Sequence, residues 1–149
     1  MINFDLRVDE NLWHQVPGLK NVIERAFAAI ESILDRPGEV SLLLTNDLEM
    51  QRLNSQFRDR DKPTDVLSFP ANPMDLPLLG DIAIGYQICQ KDAETARKTL
   101  LDHLSHLLIH GFLHLLGYDH LDSKGAEEME ALERSALASL GIADPYSAA

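Results

Sequence analysis

One stretch constrains this chain more than any other: His110-Gly111-Phe112-Leu113-His114-Leu115-Leu116-Gly117-Tyr118-Asp119-His120. The residues leading into it (Leu101, Leu104, Leu107, Leu108, Ile109) and within it (Leu113, Leu115) are apolar on most sides, which predicts a buried helix over Leu100–Leu116. On a helix, residues four apart share a face one turn apart, so His110 and His114 can reach one ion together. Gly117 tolerates the left-handed conformation that ends a helix. The chain can therefore turn back and deliver His120 from outside. One histidine on such a face is ordinarily a packing residue; three in this spacing form a ligand set. Three neutral imidazoles with a fourth position open describe a catalytic zinc site better than a closed structural one. His106 shares the face, but at ~1.5 Å rise per residue it stands ~12 Å from His114, too far for one ion. His103 and His106 are read as packing or supporting residues, and the ligands as His110, His114 and His120.

The spacing follows the H-E-x-x-H-x-x-G-x-x-H pattern of metzincin proteases except at Gly111, where those enzymes carry a glutamate general base. The metal ligands are kept and the usual proton acceptor is gone, which argues against a peptidase. Two further blocks accompany the histidines. Leu53-Asn54-Ser55-Gln56-Phe57-Arg58-Asp59-Arg60-Asp61-Lys62-Pro63-Thr64-Asp65-Val66-Leu67-Ser68-Phe69-Pro70 is one, and Leu79-Gly80-Asp81-Ile82-Ala83-Ile84 the other. Together with H-G-x-L-H-L-x-G-Y-D-H they resemble the signatures of the YbeY family of bacterial metal-dependent endoribonucleases, in the family's order and over most of the chain. The resemblance implies a zincin-like core and one zinc ion per chain. It implies single-strand-specific RNA cleavage in ribosomal RNA maturation, including small-subunit 3′-end processing, and in ribosome quality control. The implied partners are single-stranded rRNA, the small ribosomal subunit and assembly factors.

The same resemblance gives Arg58 a catalytic role beside His114, through contact with the RNA phosphate. A guanidinium suits that task because it stays charged and can bind two phosphate oxygens at once. Arg60, Lys62, Thr64 and Ser68 join it as candidate substrate contacts, although Thr64, Asp65 and Ser68 can equally hold the loop by local hydrogen bonds. Asp119 can orient an imidazole from behind, act as a weak ligand, or simply shape the turn. The general base and the attacking group, water or a 2′-hydroxyl, stay open.

Charge complicates an RNA substrate. With 24 acidic and 13 basic residues the net charge is −11, whereas phosphate binding normally shows a basic surface. A bound divalent ion and the local cations Arg52, Arg58, Arg60 and Lys62 soften the objection. Weak intrinsic RNA affinity is expected, with a larger assembly presenting the substrate. The single Cys89 excludes an internal disulfide, and its expected role is packing rather than nucleophilic. No apolar run approaches a membrane span and no signal peptide is visible, so the expectation is a cytoplasmic protein without membrane contact, acting as a monomer.

Read in order, residues 2–8 alternate as a strand, and a helix follows Pro17-Gly18 as far as Leu34. Val40–Thr45 is a strand. Asn46, with Glu49 three residues later, starts a helix to Phe57 that turns Leu48, Leu53 and Phe57 inward. Val66–Phe69 and Gly80–Gly85 are strands, with an irregular flap over residues 71–78 between them. Helices follow over Gln87–Arg97, Leu100–Leu116 and Ser123–Leu140, the last with Met129, Leu132, Ala136 and Leu140 on one side. Its acidic residues Glu127, Glu128, Glu130 and Glu133 are expected in solvent. The elements mix without strict βαβ alternation and no linker interrupts them. This reads as one α+β domain over residues 1–149, a small mixed sheet of about four strands packed with helices.

Two other functions compete. Another metal-dependent hydrolase, a peptidase or amidase, fits the histidine spacing and is separated from a nuclease by casein against single-stranded RNA. A non-catalytic ribosome-assembly factor with a structural metal fits the acidic balance; in it, Arg58→Ala leaves function intact.

Overall fold

The structure, a computed structural model, describes residues 1–146. Strands β1 (Ile2–Val8), β2 (Gly38–Thr45), β3 (Val66–Pro70) and β4 (Leu78–Gly85) form one mixed sheet in the order β1-β2-β4-β3. The β1/β2 and β2/β4 pairs are parallel. β3 runs antiparallel along β4, with Val66 opposite Ile84 and Pro70 opposite Gly80. Parallel neighbours need crossover connections. α1 (Leu19–Leu34) supplies the first, and α2 (Asp47–Arg58) together with β3 lies within the second. Three helices follow: α3 (Tyr86–Thr95), α4 (Leu100–Leu115) and α5 (Ser123–Ser139). The α+β expectation holds, and the α4 start and the α5 start fall where the sequence places them.

α4 is the central element. It packs against α1, α3 and α5 as well as β3 and β4. Its Leu104, Leu108 and Phe112 are fully buried with Ile23, Phe27 and Ile30 of α1 and with Leu42, Leu44, Ile82 and Ile84 of the sheet. Each such side chain contributes about 1.5–3 kcal/mol through burial. His110 and His114, mounted on α4, therefore sit on a rigid support. Among the described residues, no helix is long and apolar enough to cross a membrane.

α2 departs from the expected pattern. Asn46 caps it as predicted, its Oδ1 accepting the Glu49 N–H at 2.9 Å. The inward residues are Met50 and Asn54, however, while Leu48 is 78% and Phe57 52% exposed. Asn54 is buried because it organises the following loop. Its Nδ2 donates to the Lys62 carbonyl at 3.0 Å, and its own carbonyl accepts the Arg60 N–H at 3.2 Å. A polar residue serving the loop takes a place that hydrophobic periodicity assigns to an apolar one. α3 ends at Thr95, short of Arg97, which turns out of the helix at φ 58°. The flap over residues 71–78 contains a short 3₁₀ turn, Pro73–Asp75.

Candidate metal centre

Thr99 opens α4, its Oγ1 accepting the Asp102 N–H at 3.1 Å. At the other end Gly117 adopts φ 96°, and the Tyr118 N–H returns to the Leu113 carbonyl at 3.1 Å. This reversal carries His120 back over the helix. Its ring centroid lies 5.3 Å from that of His114 and 5.7 Å from that of His110. One ligand atom from each of the three histidines falls within 4.8 Å of the others, so the group could hold a metal ion.

Whether these residues fit a cation can be tested on their hydrogen bonds. His114 Nδ1 lies 2.9 Å from the Tyr118 carbonyl oxygen, which can only accept, so Nδ1 carries the proton. His110 Nδ1 lies 2.6 Å from Glu133 Oε1, and an ionised carboxylate imposes the same tautomer. Both Nε2 atoms are then left with lone pairs. They face one another at 3.0 Å. Two lone pairs at that distance repel, and a cation bound by both removes the conflict. Zinc–imidazole bonds of about 2.0–2.1 Å fit such a spacing. Burial, reinforced by repulsion from His110, lowers the pKa of His114 and favours the neutral form a ligand needs. The residues fit.

Glu127 and Glu128 are exposed as expected of a solvated acidic face on α5, but Glu133 departs from that expectation. It is fully buried. Its Oε2 lies 2.8 Å from His106 Nε2 and accepts a short hydrogen bond from the Tyr146 hydroxyl, while Oε1 faces His110. Burial opposes ionisation, but the bonds from His106, His110 and Tyr146 outweigh it and hold the carboxyl at about 2. A signal for this was present: Glu133 falls four residues after Met129 and three before Ala136, on the inward stripe of α5. His106 is thus a supporting residue. His103 is not. Its ring packs edge-on to His106 at 6.2 Å between centroids and lies beside Asp65 and Asp92.

On the β3 side of the triad lies a cavity of about 380 Å³ lined by Arg58, Ser68, His114, Gly117, Tyr118 and Asp119, among others. Arg58 ends α2 and is steered across it: Nη2 donates to the Ser68 carbonyl at 2.6 Å, and the guanidinium sits 4.9 Å from the Phe69 ring centroid. Residues 56 positions apart in sequence, Arg58 and His114, thereby line one cavity. Ser68 lines the cavity, but its Oγ donates to the Gly111 carbonyl at 2.9 Å. Asp119 also lines it, with Oδ1 accepting the Leu121 N–H at 3.2 Å; among the described residues it makes no hydrogen bond to an imidazole. Arg60, Lys62 and Thr64 lie on the loop before β3 and are not part of this lining. At Gly111 a Cβ would stand 3.1 Å from Ser68 Oγ and 3.2 Å from Ile82 Cγ2. The position occupied by a glutamate in metzincins faces the sheet here, where even a Cβ requires Ser68 and Ile82 to give by a few tenths of an ångström.

The model of the family described as endoribonuclease YbeY matches residues 7–141. The chain belongs to that family. Among YbeY relatives, the endoribonuclease YbeY of Allorhizobium ampelinum is 53% identical over 116 residues, covering 74% of this chain and 70% of its own. That of Nitrobacter winogradskyi is 46% identical over 154 aligned positions, covering 96% of this chain and 81% of its own. The solution structure of TM1509 from Thermotoga maritima superposes with a TM-score of 0.61 at 28% identity, covering 95% of this chain and 92% of that one. The YbeY resemblance carried by the three sequence blocks is borne out.

Proposed function

We propose that this protein is a zinc-dependent endoribonuclease that cuts single-stranded RNA during ribosomal RNA maturation, at the small-subunit 3′ end, and in ribosome quality control. The observation that carries the reading is the facing pair of Nε2 lone pairs on His110 and His114, with His120 beside them and the Arg58 guanidinium across one cavity. His110, His114 and His120 are the residues that would hold the ion, and an all-imidazole donor set suits zinc. When bound, the ion supplies Lewis acidity toward a phosphodiester oxygen and adds positive charge to an acidic protein.

Arg58 does the rest of the electrostatic work. Its bond to the Ser68 carbonyl and its stacking on Phe69 set the guanidinium plane before substrate arrives, so little reorganisation is needed as charge develops on the phosphate. The Tyr118 carbonyl keeps the proton of His114 on Nδ1 and away from the cavity. Ser68 contributes by anchoring β3 to α4. Arg60, Lys62 and Thr64 extend the substrate path along the loop before β3, and Asp119 shapes the turn that delivers His120. A peptidase is disfavoured because Gly111 supplies no general base and faces the packed sheet. The partners are rRNA and components of the small subunit, and the protein works as a monomer in the cytoplasm.

The test is zinc-loaded cleavage of a labelled single-stranded RNA, with duplex RNA and casein as controls, by wild type, His114→Ala and Arg58→Ala. Cleavage of single-stranded RNA by wild type alone supports the reading. Equal cleavage by the folded variants would move a non-catalytic assembly role ahead.

A further inference from the structure

We infer that Glu133 and Tyr146 are positioning residues of the metal centre, Glu133 setting the tautomer of His110 and Tyr146 clasping Glu133 from the end of the chain. The inference rests on the assignment of His110 as a ligand and extends it to residues 23 and 36 positions away, outside every sequence block that resembles the family.

The construction can be followed outward from the ligand. His110 has one ring nitrogen toward His114 and the other toward Glu133 Oε1, at 3.0 and 2.6 Å. Whichever nitrogen is protonated cannot bind a metal ion, so the acceptor behind Nδ1 decides whether Nε2 is a ligand at all. Glu133 is that acceptor. It is held from its second oxygen by His106 and Tyr146, two donors that only an acceptor can satisfy. Tyr146 is itself placed by a short chain of contacts. Arg134 Nε donates to Asp144 Oδ2 at 3.0 Å, Asp144 Oδ1 accepts the Tyr146 N–H at 2.8 Å, and the Arg134 guanidinium lies 5.5 Å from the Tyr146 ring centroid. A side cavity of about 350 Å³, lined by His110, His120, Met129, Glu133 and Tyr146 among others, adjoins the triad at this point. A wholly buried carboxylate is costly unless it is paired. Here the charge is matched through His110 by the cation the triad would bind.

A glutamine at 133 cannot reproduce this. If its oxygen faces His110, its amide N–H₂ requires His106 to change tautomer and the Tyr146 hydroxyl to rotate, each turning from donor to acceptor; if reversed, the amide donates to His110 Nδ1 and forces the proton onto Nε2.

The experiment uses the full chain and two readouts: ¹⁵N chemical shifts of the histidine rings in metal-free protein, and zinc affinity by competition with a chromophoric chelator. In wild type, His110 is expected as the Nδ1–H tautomer. Glu133→Gln should move population to Nε2–H and weaken zinc binding by about 10–100-fold. Tyr146→Phe should keep the tautomer and weaken zinc by about 2–10-fold, the worth of one hydrogen bond. Folded variants that bind zinc within twofold of wild type with unchanged tautomers would overturn the inference. Should Glu133→Gln not fold, Tyr146→Phe decides by the same affinity criterion. If wild type itself takes no zinc, the ligand assignment fails, and the tautomer shift in metal-free protein still decides the role of Glu133.

Discussion

Ser68 Oγ donates to the backbone carbonyl of Gly111 at 2.9 Å, pinning the edge strand β3 to α4 between His110 and His114. A Cβ at residue 111 would stand 3.1 Å from the same Ser68 Oγ, so any side chain there crowds this contact. Introducing Gly111→Glu, which would restore the protease-like motif, overpacks a site bounded by Ser68 and Ile82. An overpacking cost of about 1–3 kcal/mol exceeds the ~0.5–1 kcal/mol gained by replacing a helical glycine. Thermal unfolding should show a Tm lowered by up to roughly 10 °C. Casein cleavage should stay at background, and its appearance would refute the steric account.

Arg58 is exposed and interacts through its guanidinium with Ser68 and Phe69, so its removal should hardly touch stability. Arg58→Ala is expected to slow single-turnover RNA cleavage by about 10²–10³-fold, typical for loss of one preorganised charge-stabilising donor. Unfolding free energy should change by less than about 1 kcal/mol. Arg58→Lys should recover little, since an ammonium cannot span two phosphate oxygens. Full activity in Arg58→Lys would mean that a point charge suffices.

Zinc binding to the folded state alone should raise stability by mass action. At a free zinc concentration 100-fold above Kd the gain is about 2.7 kcal/mol, or roughly 5–10 °C in Tm. A chelator should reverse the shift and His114→Ala should abolish it. Calorimetry with and without metal measures both. An undiminished shift in His114→Ala would place the ion elsewhere.

Cys89 is fully buried, and burial, followed by repulsion from Asp65 and Asp92, pushes its thiol up to about 12. Because the folded-state value lies above the unfolded one, whatever the thiol contributes to stability is intact below the unfolded value near 9. It is lost as pH rises from there toward 12. At pH 8 the native thiol should resist a thiol reagent that labels the urea-unfolded chain rapidly. Fast labelling of native protein would contradict the burial, and Cys89→Ala should leave RNA cleavage unchanged.

The helix-borne part of the site was legible from residue order, for a local reason. Four residues of α-helix bring His110 and His114 together in any context, and Gly117 can reverse the chain toward His120 whatever surrounds it. Alternation and capping likewise located the strands and the starts of α2 and α5. Contacts across long loops were not legible. Glu133 was read as part of a solvated acidic face although it is spaced with Met129 and Ala136, and only the packing of α5 against α4 brings it to His106 and His110. Leu48 and Phe57 were assigned to a core that Met50 and Asn54 occupy, because the loop after α2 needs the Asn54 amide. The necessity of Gly111 and the reach of Arg58 to the cavity depend on β3 lying against α4. Residue spacing sets what one helix presents; only packed elements decide which partner it meets.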